Sequence, residues 1–319
     1  MKSVRRTCQH IGLAKAAGVA CLSAALLAGA ASVPTLAAAQ SKPPASTPVP
    51  PQFQDSYKVF LEMKAKAKGG TKHTATSIPD WSGIWTRGPG GLKFDPAQPG
   101  QPTEGKITAV LTPEFEAKYR KKVAEVIKGI EWDQLSYCLP AGFPRTLTEP
   151  FLREYINTPA QSWWINEQQS EARRIYTDGR GHVPDDEAFA LWEGDSIGFW
   201  DGDTLVIHTI RVKPGQYQRA QPDYTDQTSV VERVRKIDAN TIQDEVTVWD
   251  PPALVKPWHV VDTYVRVTTP GARIDMWSCE ENNNVVKTAD GGTTHILAGE
   301  KGYTDPDKIL EAPKTAEKQ

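Results

Sequence analysis

The fold is decided by one stretch, Glu171–Thr209, which has the sequence EARRIYTDGRGHVPDDEAFALWEGDSIGFWDGDTLVIHT. Two short apolar runs in its second half, 196–200 and 203–209, are separated by the dipeptide Asp201-Gly202. Because Asp-Gly tolerates positive φ, it favours a type I′ turn between antiparallel strands. The stretch therefore predicts a β-hairpin, and the run at 172–177 predicts a further strand beside it.

Outward from this hairpin, the chain after Pro150 continues as short strands joined by turn residues. Connections such as Asp238-Ala239-Asn240 and Asp250-Pro251-Pro252 favour turns, and no helix of crossover length separates the strands. An antiparallel meander of this length most often closes into a barrel. We therefore predict a mainly β fold, with a two-sheet β-sandwich as the alternative. The predicted strands are 152–157, 161–167, 171–177, 195–200, 203–211, 228–237, 241–249, 258–268 and 272–279.

The β domain opens with the motif Gly83-Ile84-Trp85. Gly-x-Trp at a first strand resembles the signature of lipocalin-type barrels, in which the tryptophan plugs the closed end. The resemblance implies a lipocalin-like barrel.

Two segments before the meander have apolar residues at helical spacing and predict peripheral helices. They are 54–68, in which Tyr57, Phe60, Leu61 and Met63 share a face, and 113–128.

The first 78 residues differ in composition from the rest of the chain. Basic residues lead into an Ala-rich apolar stretch, and Ala37-Ala38-Ala39 supplies small residues for a cleavage site. We predict a signal peptide over 1–39, a Pro/Ala/Lys-rich linker over 40–78, a β domain over 79–304 and a frayed tail over 305–319. We expect an exported protein, periplasmic or secreted. No integral span is expected, because no later run approaches the roughly 20 apolar residues that cross a bilayer.

Charge and cysteine content narrow the function classes further. The chain has 37 basic and 39 acidic residues, and four of the basic residues lie in the leader. No basic field suited to nucleic acid remains. Cys8 and Cys21 also lie in the leader, so Cys138 and Cys279 remain after cleavage. We predict that these two form a disulfide, because an exported protein folds in an oxidising compartment.

The candidate catalytic residues are His182, His208, Asp178, Glu232 and Tyr176. His208 shares a strand face with Val206 and Ile210, which predicts an interior position from which its imidazole can move protons. A hydrogen-bonded core histidine is the alternative. Glu232 shares its face with Val230 and Val234, so it is either a catalytic carboxylate or one half of an internal ion pair, with Arg173 among its possible partners.

The candidate ligand-binding residues are Arg174, Arg180, Trp164, Trp200 and Trp258. The tryptophans can line a pocket for a ring-bearing ligand, although all three are equally compatible with an ordinary core. No H-x-x-x-H, H-E-x-x-H or paired-cysteine spacing occurs, so no metal is predicted. The absence of a Gly-x-Ser-x-Gly elbow, a P-loop and a dinucleotide fingerprint argues against serine hydrolases, NTPases and Rossmann oxidoreductases, and no cofactor is predicted.

Several motifs occur in a fixed order: RRIYTDGRGH from Arg173, GDSIGFWDGDTLVIHT from Gly194, VVERVRK, DEVTVWDPP, KPWHV and CEENN. In this order they resemble a family of exported bacterial proteins whose members have no established activity. Members of that family often carry Gly-His-Ser where this chain has Gly194-Asp195-Ser196, and Asp where it has His208. The resemblance covers roughly 79–284 and implies no particular reaction.

These observations favour an exported, lipocalin-like barrel that binds a small hydrophobic or aromatic molecule, with the polar loop 178–186 at its mouth. The alternative is a cofactor-independent lyase, isomerase or hydrolase that uses His and carboxylate acid-base chemistry. In that case His182 or His208 moves a proton and Arg174 or Arg180 stabilises negative charge. A structural envelope protein without a ligand is the third possibility.

Overall fold

The structure, a computed structural model, describes residues 49–90, 109–130, 133–218, 221–275, 277, 279, 285–289 and 292–303. The predicted signal peptide and tail lie outside the described residues. The helices are α1 (Gln54–Lys66) and α2 (Pro113–Val126). The strands are β1 (Trp85–Gly90), β2 (Arg153–Asn157), β3 (Gln161–Asn166), β4 (Ala172–Tyr176), β5 (Asp195–Asp201), β6 (Thr204–Ile210), β7 (Gly215–Gln216), β8 (Asp223–Tyr224), β9 (Ser229–Asp238), β10 (Thr241–Trp249), β11 (Trp258–Arg266), β12 (Val285–Lys287) and β13 (Thr293–His295). Within the described ranges, no helix is both long and apolar enough to cross a bilayer.

Nine strands close into a barrel in the order β1-β11-β10-β9-β6-β5-β4-β3-β2. The predicted mainly β barrel is confirmed, and the β-sandwich alternative is excluded. Eight of the predicted strands form at nearly the predicted bounds, whereas the described residues of 272–279 form no strand. The ninth barrel strand is β1, at the Gly-x-Trp opening, where Trp85 is fully buried.

One strand pair departs from the predicted antiparallel meander. β4 and β5 pair in parallel, with Ile175 opposite Ser196. The long polar loop 177–194 carries the chain back toward the end of the barrel at which β4 begins, so that β5 runs in the same direction as β4. The β5–β6 hairpin forms as expected, but its turn is not type I′. Type I′ requires positive φ at both central residues, which here are Gly202 and Asp203, and only Gly202 has a positive φ.

Alternation along the strands separates an inner face from an outer face. Register places Val246 and Ile207 on either side of Glu232, so these three side chains share the inner face. His208 and Val206 occupy the other face of β6, which α1 covers. Phe60 of α1 packs there against Phe199, with ring centroids 5.3 Å apart. The predicted helical face is confirmed for Phe60, but Leu61 is exposed.

The plug, residues Leu139–Glu149, closes the end of the barrel at which β2 begins. Arg153 of β2 fixes it by donating hydrogen bonds to the carbonyl oxygens of Thr146, Leu147 and Glu149. The predicted disulfide between Cys138 and Cys279 is confirmed, with the two Cα atoms 5.5 Å apart, and it anchors the start of the plug. The opposite end carries the β5–β6 and β9–β10 turns and is filled by Trp81, Trp85 and Trp200.

Candidate functional site

The structure brings His182 and His208 together in a buried chain of hydrogen bonds, which we call the relay. It runs from Asp195 Oδ2 to His182 Nδ1 (2.9 Å), from His182 Nε2 to His208 Nδ1 (2.7 Å) and from His208 Nε2 to Ser56 Oγ (2.9 Å). Ser56 Oγ also contacts Ser229 Oγ at 2.7 Å. Asp195 and His208 both contact His182.

The relay is assembled from four different elements of the fold. Asp195 begins β5, His208 lies on the outer face of β6, His182 belongs to the loop after β4, and Ser56 lies in α1. Arg211 extends the relay by donating hydrogen bonds to Asp195 Oδ2 (3.4 Å) and to Asp185 Oδ1 (2.9 Å). Sequence periodicity placed His208 correctly beside Val206, but that face lies outside the barrel and beneath a helix.

Burial determines the protonation of the relay. Burial and the neighbouring His182 hold the pKa of His208 well below its ordinary value, so its ring is neutral at physiological pH. Burial raises the pKa of Asp195, but hydrogen bonds from His182 and the Val183 amide outweigh this effect. The pKa of the Asp195 carboxyl therefore stays below its usual range. The relay therefore contains a neutral His208 and ends on the carboxylate of Asp195.

Glu232 lies on the other side of the sheet, in the barrel interior. Its carboxylate accepts hydrogen bonds from both terminal nitrogens of Arg173, one at 2.9 Å and one shorter. Arg173 also donates to Ser196 and Thr209, and its guanidinium lies between the rings of Phe143 and Trp164. Glu232 is thus one half of an internal ion pair and does not meet the histidines.

The remaining predicted residues do not converge on one site. Asp178 forms an exposed ion pair with Arg180, whose guanidinium stacks on Tyr176 at 4.2 Å. Arg174 stacks on Trp163 on the outer surface. All three predicted tryptophans belong to the core, and Trp164 also lines a small interior cavity. Asp178 and Arg180 of the polar loop therefore pair with each other, and Asp185 pairs with Arg211, so these charges do not form one binding surface.

Two carboxyl groups that the sequence analysis missed lie beneath the plug. Glu171 and Glu193, the acid pair, border a cavity of about 20 Å³ together with Arg153, Tyr155, Trp164 and Arg173. Burial and the neighbouring Glu193 raise the pKa of Glu171 to about 8. Burial, opposed by Arg173, raises the pKa of Glu193 to about 7. Neither residue has a local signal, because each lies next to a turn and outside the alternation of a strand.

A larger opening lies on the outer side of the plug. This cleft has a volume of about 450 Å³ and lies between the β7–β8 hairpin and the 3-10 turn Gln134–Tyr137. Tyr137, Leu139 and Pro214 form an apolar rim, and Gln134, Gln216 and Tyr224 contribute polar groups. Gln216 Oε1 and the Tyr224 hydroxyl are buried and have no hydrogen-bond partner among the described residues.

The acidic residues of the cleft are neutralised within the protein. Arg145 donates to both carboxylate oxygens of Asp133, and Lys122 pairs with Asp223. In the described part of the chain, no group of three or more His, Cys, Asp or Glu side chains is arranged to hold a metal ion. The groups left to contact a ligand in the cleft are therefore neutral.

Tyr224 lies between the cleft and the acid pair. It lines the cleft, and Glu171 and Glu193 are among the charges that act on its buried hydroxyl. Gly142 of the plug donates its amide to Glu171 Oε1 at 3.3 Å, and a Cβ on that glycine would lie 3.5 Å from the Tyr224 hydroxyl. The Tyr224 hydroxyl is thus near both the cleft and the acid pair.

No protein-family model matches the chain. No curated protein matches it either.

Proposed function

We propose that this barrel protein binds a small hydrophobic or aromatic molecule, and that the binding site is the cleft beside the plug. The barrel interior has too little space for such a ligand, since its cavity of about 20 Å³ holds about one water molecule. The cleft, at about 450 Å³, falls within the range of roughly 300–1,000 Å³ that is usual for small-molecule sites.

The observation that carries the proposal is the pairing of an apolar rim with two buried, unpartnered polar groups. An apolar ring packs against Tyr137, Leu139 and Pro214. Gln216 Oε1 and the Tyr224 hydroxyl, once their side chains turn toward the cleft, supply an acceptor and a donor for one ligand hydroxyl. Because buried polar groups without partners cost stability, a ligand that satisfies them gains affinity. The ligand chemistry is therefore a neutral ring compound with a hydroxyl group.

The test uses matched ring compounds and matched variants. Binding of 2-naphthol, 2-methoxynaphthalene and naphthalene is measured by tryptophan fluorescence and calorimetry at pH 7. We expect 2-naphthol to bind most tightly, Leu139→Lys to abolish binding of all three, and Gln216→Ala to remove the preference for the hydroxyl. Val255→Lys, a change at another exposed aliphatic residue, serves as the control and leaves binding intact. If none of the three compounds binds, the proposal fails.

The second candidate function is cofactor-independent acid-base catalysis of the lyase, isomerase or hydrolase type. The observation that favours it is the acid pair, with carboxyl pKa values of about 7 and 8, behind Tyr224. Carboxyl groups with near-neutral pKa values are suited to give and take protons at working pH. Its hydrolytic form is tested with 2-naphthyl acetate, whose hydrolysis releases 2-naphthol. Glu193→Gln abolishes the release if the acid pair is responsible, and an unchanged rate rejects this candidate.

A further inference from the structure

We propose that the relay is an acid-sensitive latch that fastens α1 to the barrel at neutral pH and releases it when both histidines are protonated. Ser56 is its link to α1. Its hydroxyl reaches His208 of β6 and Ser229 of β9, so one side chain of the helix is hydrogen-bonded to two barrel strands. No other polar side chain of α1 is fully buried.

The neutral relay satisfies every ring nitrogen. Asp195 accepts from His182 Nδ1–H, His182 Nε2 accepts from His208 Nδ1–H, and His208 Nε2 accepts from the Ser56 hydroxyl. These proton positions are assigned from the hydrogen-bond network, since a carboxylate only accepts and a neutral imidazole donates once and accepts once.

A first proton is accommodated without loss of a contact. His182 then carries N–H groups on both nitrogens and donates to His208 Nδ1, so the proton of His208 moves to Nε2. Ser56 reverses its role, accepting from His208 and donating to the Phe53 carbonyl oxygen, which lies 3.0 Å away. The singly protonated relay therefore keeps α1 in place.

A second proton breaks the relay. Both facing nitrogens then carry hydrogens, and two donors with like charges cannot remain 2.7 Å apart. Within the described residues, the other side chains shown in contact with His208 are Tyr57, Phe60 and Ser56, and none of them supplies a negative charge. Asp195, Arg211 and Asp185 lie on the far side of His182.

Release restores both imidazoles to water, where each takes up its own proton. Where the docked relay holds one proton and the released state holds two, docking weakens about tenfold for each pH unit below the ordinary histidine pKa of about 6.5. The effect is confined to the N-terminal side of α1. Beyond its C-terminal end the chain stays fastened by the hydrogen bond from Thr71 N to the Trp200 carbonyl oxygen (2.6 Å).

The latch is tested by hydrogen exchange of the full chain, with mass spectrometry, at pH 7, 5.5 and 4.5. Labelling times are scaled for the change in chemical exchange rate. At pH 4.5 we expect protection of peptides from 50–60 to fall roughly a hundredfold relative to pH 7, while β9 and β10 peptides stay protected. Uniform loss over the barrel, or full protection of α1 at pH 4.5, overturns the proposal.

Variants separate the latch from other acid effects. Glutamine keeps hydrogen-bonding capacity but does not titrate, so His208→Gln should keep α1 protected at pH 4.5. His182→Gln likewise leaves only one imidazole that can be protonated, and it serves as a second test if His208→Gln does not fold. His259→Gln, at an exposed histidine of β11, should release α1 as the natural sequence does. Release of α1 in a folded His208→Gln or His182→Gln protein would show that other groups drive it.

Discussion

The Arg173–Glu232 ion pair is buried, so loss of one partner should strongly lower the free energy of unfolding. In Glu232→Leu, Arg173 keeps its contacts to Ser196 and Thr209 but loses both hydrogen bonds to the carboxylate, in a side chain only 3% exposed. Hydrogen bonds to charged groups contribute about 1.5–3 kcal/mol each. Breaking a buried pair at one partner costs about 3–5 kcal/mol. We expect a loss of about 4 kcal/mol in the free energy of unfolding.

Urea denaturation followed by tryptophan fluorescence measures this loss. With a slope of about 2–3 kcal/mol/M, the midpoint should fall by between about 1 and 2 M. The control is Glu245→Leu on the neighbouring strand, which breaks the half-exposed pair with Arg233 and should cost less than about 1 kcal/mol.

The double variant Arg173→Met, Glu232→Leu separates the cost of an orphaned charge from the value of the pair. Replacing both partners by apolar residues of similar size removes the uncompensated charge, so the double variant should be more stable than Glu232→Leu alone. Additive losses, or a loss below about 1 kcal/mol for Glu232→Leu, would refute the argument that Glu232 is required as the counter-ion of Arg173.

Two further predictions concern the disulfide and the acid pair. Cys138→Ser should lower the melting temperature as much as reductant does, because the bridge closes a loop with a sequence separation of 141. A native disulfide contributes about 2–5 kcal/mol to the free energy of unfolding. Equal melting temperatures of the natural sequence with and without reductant would show that the bridge does not form. Glu171 has its pKa raised to about 8, so its contribution to stability is complete below its unfolded value of about 4.5 and is lost as the pH rises toward 8. Glu171→Gln should therefore flatten the fall in the free energy of unfolding between pH 5 and 8, and an unchanged pH profile would contradict the assignment.

The strands and hairpins were largely predictable because their signals are local. Alternation placed Val230, Glu232 and Val234 on one face of β9, and the turn at Asp201-Gly202 placed β5 beside β6. The parallel pairing of β4 with β5 was not predictable in this way. It depends on the path of the loop 177–194, whose polar residues carry no periodic pattern.

The candidate site was predicted only in part. The structure places His182 and His208, two of the predicted catalytic residues, in one hydrogen-bond network. Ser56 was missed, since it is 152 residues away from His208 in sequence. Glu171 and Glu193 were missed because their pKa values depend on burial beneath the plug, which belongs to another part of the chain.

The β architecture and the face on which each strand residue lies could be predicted from the sequence, because both follow from a period of two and from local turn chemistry. The disulfide could be predicted because only two cysteines remain after the leader. Only the tertiary structure decided what covers each face. The helix α1 turned an outer-face histidine into a buried one, and the plug turned two loop carboxyls into an acid pair. Burial and charge pairing depend on groups that are distant in the chain, so only the folded protein brings them together.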